Sequence, residues 1–101
     1  MNMSGYPNPV LGFSIEKTRR YKKDCIKYKN ILNRILNTEL KIINYPNRSR
    51  VLHGPLGNNC KGFLHAYIDE NSRILYKPYY KKKIVFLKFI LTHREMEKKC
   101  D

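Results

Sequence analysis

The chain has 101 residues, room for one domain with a thin core and not for two. Twenty-one Lys plus Arg against eight Asp plus Glu give a net charge of +13, which calls for a polyanionic partner because so charged a compact chain repels itself. Apolar residues at 42% exclude a wholly disordered basic tail, and no apolar run approaches the ~20 residues of a membrane span. Residues 1–14 lack the charged-then-apolar order of a signal peptide, so Cys25, Cys60 and Cys100 are expected to be reduced thiols in a cytoplasm.

Residues 1–9, with two prolines, read as a loose lead-in. Val10–Ile15 is a short strand candidate, weakened by Gly12. Thr18 then suits the N-cap of a helix to about Lys29, with Tyr21, Cys25 and Tyr28 as its core stripe. Leu32, Leu36, Leu40 and Ile43 continue the helical spacing, joined by Ile35, and a helical hairpin broken near Lys29–Asn30 is favoured over one long helix. Tyr45-Pro46 ends it, because the residue before proline leaves the helical region.

Residues 46–59 read as a loop rich in Pro, Gly and Asn, carrying Arg48, Arg50 and His53. The period then changes to two, with Phe63, His65 and Tyr67 on one face and Leu64, Ala66 and Ile68 on the other. Asp69–Ser72 is a polar turn and Arg73–Tyr76 opens the next strand. A basic turn at Lys81–Lys83 leads into Ile84–Leu91, apolar enough to be a central strand buried on both faces. Parity places His93 with Val85, Leu87, Phe89 and Leu91, so a bend or bulge past Leu91 is expected if it is to face the Arg73 side. Residues 95–101 read as a charged tail. The sum is one α+β domain over 1–101: a strand, a helical hairpin and a three-strand antiparallel meander in a small curved sheet.

The charge is not spread evenly. No carboxylate occurs between Lys41 and Ile68, or between Asn71 and Arg94. Arg48, Arg50, Lys61, Asn71, Lys77, Lys81, Lys82, Lys83 and Arg94 are therefore candidate RNA contacts, giving salt-dependent affinity without sequence information. Bland alternatives exist for each candidate. His53 can cap a loop, His65 fits an exposed strand position better than a catalytic one, and Arg73 can pair with Asp69 or Glu70 across the turn. His53, Cys60 and His65 are a poor metal set at irregular spacing, and neither a metal nor a cofactor is expected.

The segments His53-Gly-Pro-Leu-Gly-Asn, Lys61-Gly-Phe-Leu-His-Ala-Tyr-Ile-Asp-Glu-Asn-Ser-Arg-Ile-Leu-Tyr76 and Thr92-His93 resemble, in order and spacing, the RelE-type toxins of bacterial type II toxin–antitoxin pairs. The YafQ-like branch is the nearest likeness, and the resemblance covers about residues 13–96. It implies an endoribonuclease that cuts messenger RNA on the ribosome without a metal, held in check by an acidic antitoxin. His53 matches the loop histidine, His93 the histidine after the last strand, and Arg73 the arginine that stabilises the scissile phosphate. Tyr67 stands where that branch has a strand histidine, Asn71 where it has an aspartate, and Glu97 where it has an aromatic. His65, on the same strand face as Tyr67, is the candidate to take over the missing role. The chemistry is attack of a 2′-OH on the adjacent phosphorus, which needs a base, an acid and a cation for the phosphorane. His93 is the expected acid, His53 or His65 the base, and Arg73 the clamp. Two alternatives remain: a non-cleaving protein of the toxin fold (a gyrase inhibitor or an inactive relative), and a basic, ribosome-associated RNA-binding module.

Overall fold

The structure is a computed structural model that describes residues 12–46, 52–55, 60 and 62–100, with the backbone alone for 52–55 and 100. Strand β1 (Ser14–Lys17) runs parallel to the first half of β5 (Ile84–Thr92), from Ser14 opposite Ile84 to Lys17 opposite Leu87. Thr18 then starts α1 (Arg19–Lys27) as expected, its Oγ1 accepting from the Tyr21 N–H at 2.9 Å. The same residue bonds across to β5, its N–H donating to Leu87 O and its hydroxyl to Lys88 O. A single 3-10 turn at Lys29–Ile31 makes the corner, where the hairpin break was placed, and α2 (Leu32–Asn44) returns.

After α2 come β2 (Leu52–Pro55), β3 (Leu64–Tyr67), β4 (Ser72–Tyr79), β5 and α3 (His93–Cys100). The five strands form one sheet in the order β1-β5-β4-β3-β2, antiparallel except for the β1–β5 pair. Strand β5 is interior, between β1 and β4, but the middle strand is β4. It is buried chiefly on one face, with Ile84, Phe86 and Phe89 only partly covered, so its apolar run does not make the expected central strand buried on both faces. Three segments depart from expectation. The first strand is Ser14–Lys17 rather than Val10–Ile15, with Val10 and Leu11 outside the described residues. Part of the 46–59 loop is β2, which pairs along β3, and the charged tail is helical in α3. The lead-in, residues 1–9, lies outside the described residues.

Helices α1 and α2 cover one sheet face around a core of Tyr21, Ile35, Ile42, Ala66, Ile74, Tyr76, Val85, Leu87 and Ile90. The leucine stripe expected to be core is not. Leu32, Leu36 and Leu40 are 41%, 45% and 60% exposed, while Ile35, Thr38, Glu39 and Ile42 are buried. Polar anchors choose that face. Glu39 accepts the Tyr21 hydroxyl at 2.7 Å and pairs with Lys17 at 3.5 Å, and Thr38 Oγ1 reaches the Tyr67 carbonyl at 3.3 Å. Burial, then the Glu39 bond, pushes the Tyr21 phenol far above its ordinary pKa, so it remains a neutral donor.

The opposite face carries a smaller cluster, Cys60, Leu75, Leu91 and Met96, with Phe63 and Phe89 packed on it. Beta-bulge geometry makes this possible. Leu75 faces Phe89 but Tyr76 faces Leu87, so Lys88 is an extra residue in β5. Leu87 therefore points at the helices while Phe89 and Leu91 point away from them. The bend expected past Leu91 occurs at Lys88 instead, and it brings the end of β5 onto the Arg73 face. Cys60, buried on this face with Met96 of α3, is disulfide-bonded rather than the reduced thiol expected. Cys25 is free. No helix among the described residues is long and apolar enough to cross a membrane.

Candidate functional site

Period-two alternation and the β3–β4 register put Tyr67, Arg73 and Leu91 in one row across the sheet, with His65, Leu75 and Phe89 in the next. Arg73 is the centre. It is only 4% exposed, and no carboxylate pairs with it among the described residues. Its Nη1 donates to the carbonyls of Asp69 (3.0 Å), Glu70 (3.0 Å) and Ser72 (3.3 Å). The guanidinium lies 3.6 Å from the Tyr67 ring centroid, a cation–π stack, and Nε has no hydrogen-bond partner among the described residues. The expected pairing with Asp69 or Glu70 is thus to their backbone and not to their acids. The Asp69 carboxylate turns the other way, accepting the Asn71 and Ser72 N–H groups at 2.8 Å and facing Arg34 at 3.9 Å. A buried cation that keeps its charge is an electrostatic sink for an anion.

His93 opens α3 beside it, its N–H bonded to Asn71 O at 2.8 Å and its Nδ1 3.5 Å from Arg73 Nη2. The ring is half-exposed, and Nε2 contacts Glu97 Oε1 at 2.8 Å. A bond from Nε2–H to Glu97 leaves Nδ1 as the acceptor facing Arg73. Helix α3 is held by a capping box in which Thr92 Oγ1 accepts from Glu95 N–H and Glu95 Oε1 from Thr92 N–H, both at 3.0 Å. Glu97 was noted in the sequence only as a missing aromatic. Its i, i+4 spacing from His93 was the available signal, usable once α3 was known to be helical.

Tyr67 is 42% exposed and meets His65 edge to face, with ring centroids 6.2 Å apart. His65 is not the exposed strand residue expected. It is 5% exposed, because β2 occupies the outer side of β3 and makes it an interior strand. His53 belongs to β2 at the register slip between Leu52 and Gly54, beside Ala66 and His65, but its side chain lies outside the described residues. So do Arg48, Arg50 and Lys61. The structure brings His65, Tyr67, Arg73 and His93 together, with Asn71 and Arg94 adjoining in sequence. Lys77 faces Phe63 on the same side, its Nζ 5.7 Å from the ring centroid. Lys81, Lys82 and Lys83 are elsewhere, past the far end of β4 and roughly 25 Å from Arg73 at ~3.3 Å per strand residue. The described residues contain no group of three or more His, Cys, Asp or Glu placed to hold a metal ion, and the Cys60 disulfide removes that sulfur from the metal set considered above.

No protein-family model matches this sequence, and no curated protein sequence matches it significantly. Solved structures do match. YafQ from E. coli superposes with a TM-score of 0.66 at 21% identity, over 84% of this chain and 98% of that one. The RelBE2 toxin–antitoxin complex from Mycobacterium tuberculosis gives 0.67 at 19% identity, over 80% and 98%. A YoeB/ParE toxin from Agrobacterium tumefaciens gives 0.66 at 13%, over 80% and 99%. This chain has the RelE-type toxin fold. The YafQ likeness expected from the His53, Lys61–Tyr76 and His93 segments is there in three dimensions, and it spans nearly the whole of the YafQ chain.

Proposed function

We propose that the chain is the toxin of a toxin–antitoxin pair and cleaves messenger RNA, on the ribosome, by transesterification. The observation that carries this is Arg73, a buried cation with no carboxylate partner among the described residues, set 3.5 Å from a half-exposed histidine on the sheet face that α1 and α2 leave open. In the proposed step the 2′-oxygen bonds to the adjacent phosphorus while the bond to the 5′-oxygen breaks. The products are a 2′,3′-cyclic phosphate and a free 5′-hydroxyl. His93 donates the proton to the leaving 5′-oxygen, with Glu97 orienting its ring. Arg73 supplies the positive charge that neutralises the phosphorane, from beside His93. His53 is proposed as the base, and His65, edge to face with Tyr67, seats that ring beside Arg73. No metal is required for any of these steps.

An acidic antitoxin fits both the +13 charge and the exposed Leu32–Leu36–Leu40 stripe of α2, which Arg34 and Lys41 accompany. The test is inducible expression with mapping of message 5′ ends. Wild type should arrest growth and produce cuts in phase with codons. His93→Ala, at an exposed position, and Arg73→Lys, which keeps the charge but loses the fork, should each reduce cutting by about 100-fold or more. Arrest without cuts would make it a non-cleaving protein of the same fold. RNA binding with neither arrest nor cuts would make it a ribosome-associated module.

A further inference from the structure

Next to the Arg73 cluster, on the same face, lies a cleft of about 550 Å³ that the chemistry above does not use. Its floor is Phe63, Leu75 and Phe89, and its rim is Lys88, Lys98 and Lys99. Leu75 is two residues from Arg73 on β4, and Phe89 two from Leu91 on β5, so the cleft begins about 7 Å from the cluster. Its rim is built by the two features the sequence hid. The Lys88 bulge lets Lys88 and Phe89 share one face, and α3 carries Lys98 and Lys99 back over the sheet. Lysine ammonium groups lie within cation–π range of both rings, and a stacked base would displace them toward its phosphates. Lys99 Nζ is 4.9 Å from the Phe89 centroid, while Lys88 and Lys77 Nζ are each 5.7 Å from that of Phe63.

An aromatic floor ringed by lysines, with no carboxylate among the described lining residues, matches one ligand chemistry: a planar apolar ring carrying negative charge beside it. Resting on the cleavage function proposed above, we propose that this cleft is the subsite for an unpaired nucleotide of the RNA strand neighbouring the phosphate held at Arg73, its base on Phe89 and Phe63 and its phosphates on Lys88, Lys98 and Lys99. Stacking platforms beside a cationic track are how proteins hold single strands without reading sequence. An acidic peptide with an aromatic anchor shares part of this chemistry. The cleft's continuity with the Arg73 cluster favours the nucleotide, since one strand would then lie across both.

The probe is a fluorescein-labelled RNA hexamer with 2′-O-methyl riboses, which cannot be cleaved, compared by anisotropy with an abasic oligomer of equal length. The full-length protein should bind the hexamer about tenfold more tightly than the abasic oligomer. Phe89→Leu and Phe63→Leu, which keep apolar bulk and remove the ring, should each erase most of that margin and leave the salt dependence unchanged. Lys98→Gln with Lys99→Gln should instead lower the slope of log affinity against log salt by about 1.4, at ~0.7 per lysine. Equal binding of the two oligomers overturns the subsite, as does wild-type affinity in Phe89→Leu. So does an acidic aromatic peptide whose binding depends on Phe89 when RNA binding does not. If Phe89→Leu binds like wild type and induced message is still cut, the subsite fails and the cleavage function stands. If the wild type binds neither oligomer but induced message is still cut, the subsite fails and the cleavage function stands; if message is not cut either, both fail.

Discussion

The two faces of the sheet are built from the same strands and are put to different uses. Beneath α1 and α2, alternate residues of β3, β4 and β5 (Ala66, Ile74, Tyr76, Val85, Leu87 and Ile90) are fully or almost fully buried. Buried polar groups there are matched. Tyr21 bonds to Glu39, and Asp24 reaches Ile90 N–H at 2.9 Å while accepting from Arg20. On the other face the intervening residues bury a guanidinium and an imidazole around a cluster of only four apolar residues. One face is closed, with each charge answered by an opposite charge or a donor. The other keeps an excess of positive charge under a short helix. Most of the apolar burial is on the first face and the uncompensated positive charge on the second, a division that period-two alternation permits in a single sheet.

Paired truncations test that division most strongly. Leu87→Ala, in the larger cluster, should cost about 3–5 kcal/mol, and Leu91→Ala about 2–3, measured as urea midpoints at constant m. Equal losses would mean that α3 closes its face as firmly as α1 and α2 close theirs. Removing the buried carboxylate has the next largest effect. Beta strand β1 is paired with β5 only as far as Leu87, so Asp24 supplies the acceptor that Ile90 N–H would otherwise lack. Asp24→Ala should cost about 1–3 kcal/mol, with faster amide exchange at Ile90 than at Leu87. Unchanged protection at Ile90 would count against the role given to Asp24.

How much of this could be read in advance follows from the kind of signal each element carries. The alternation of Phe63, His65 and Tyr67 against Leu64, Ala66 and Ile68 is a face assignment in itself, and the Arg73 row followed from it. Thr18 marked α1 through its capping chemistry. Beta strand β2 left no such trace, because Leu52-His53-Gly54-Pro55 contains a glycine and a proline and does not alternate. Without a trace of β2, the sequence makes β3 an edge strand, whereas pairing with β2 makes it interior and His65 is buried. The Lys88 bulge was hidden for a different reason: a continuously apolar run has no parity to break. In α2, two apolar stripes compete, and the choice of Ile35–Ile42 over the leucines rests on Glu39 and Thr38, whose partners Tyr21, Lys17 and Tyr67 are remote in sequence. Helix α3 is charged nearly throughout and buries only Met96 among its described side chains, so hydrophobic pattern could not reveal it. Its Thr-x-x-Glu signature could.

That capping box offers the smallest effect and a direct probe of how loosely the open face is covered. The backbone bond from Thr92 holds the Glu95 carboxyl below its ordinary pKa of 4.5, with the Thr92 hydroxyl and nearby Lys27 and Lys99 adding to the shift. A carboxylate whose pKa is depressed on folding stabilises the native state above its unfolded pKa, and that stabilisation is lost as pH falls through the folded value. Glu95→Gln keeps an acceptor for the Thr92 N–H and removes only the charge. Wild type should therefore exceed Glu95→Gln by about 0.5 kcal/mol at pH 7, and the two should converge as the pH drops below about 4. Because α3 is the only helix over this face among the described residues, the same substitution should speed proteolysis within residues 93–100 at pH 7 without altering amide protection in β4. No gap between the two proteins at pH 7 would place the stabilisation in the backbone bond, which both keep, rather than in the charge. Equal proteolysis would mean that Met96, buried against Leu75 and Leu91, holds the helix without its cap.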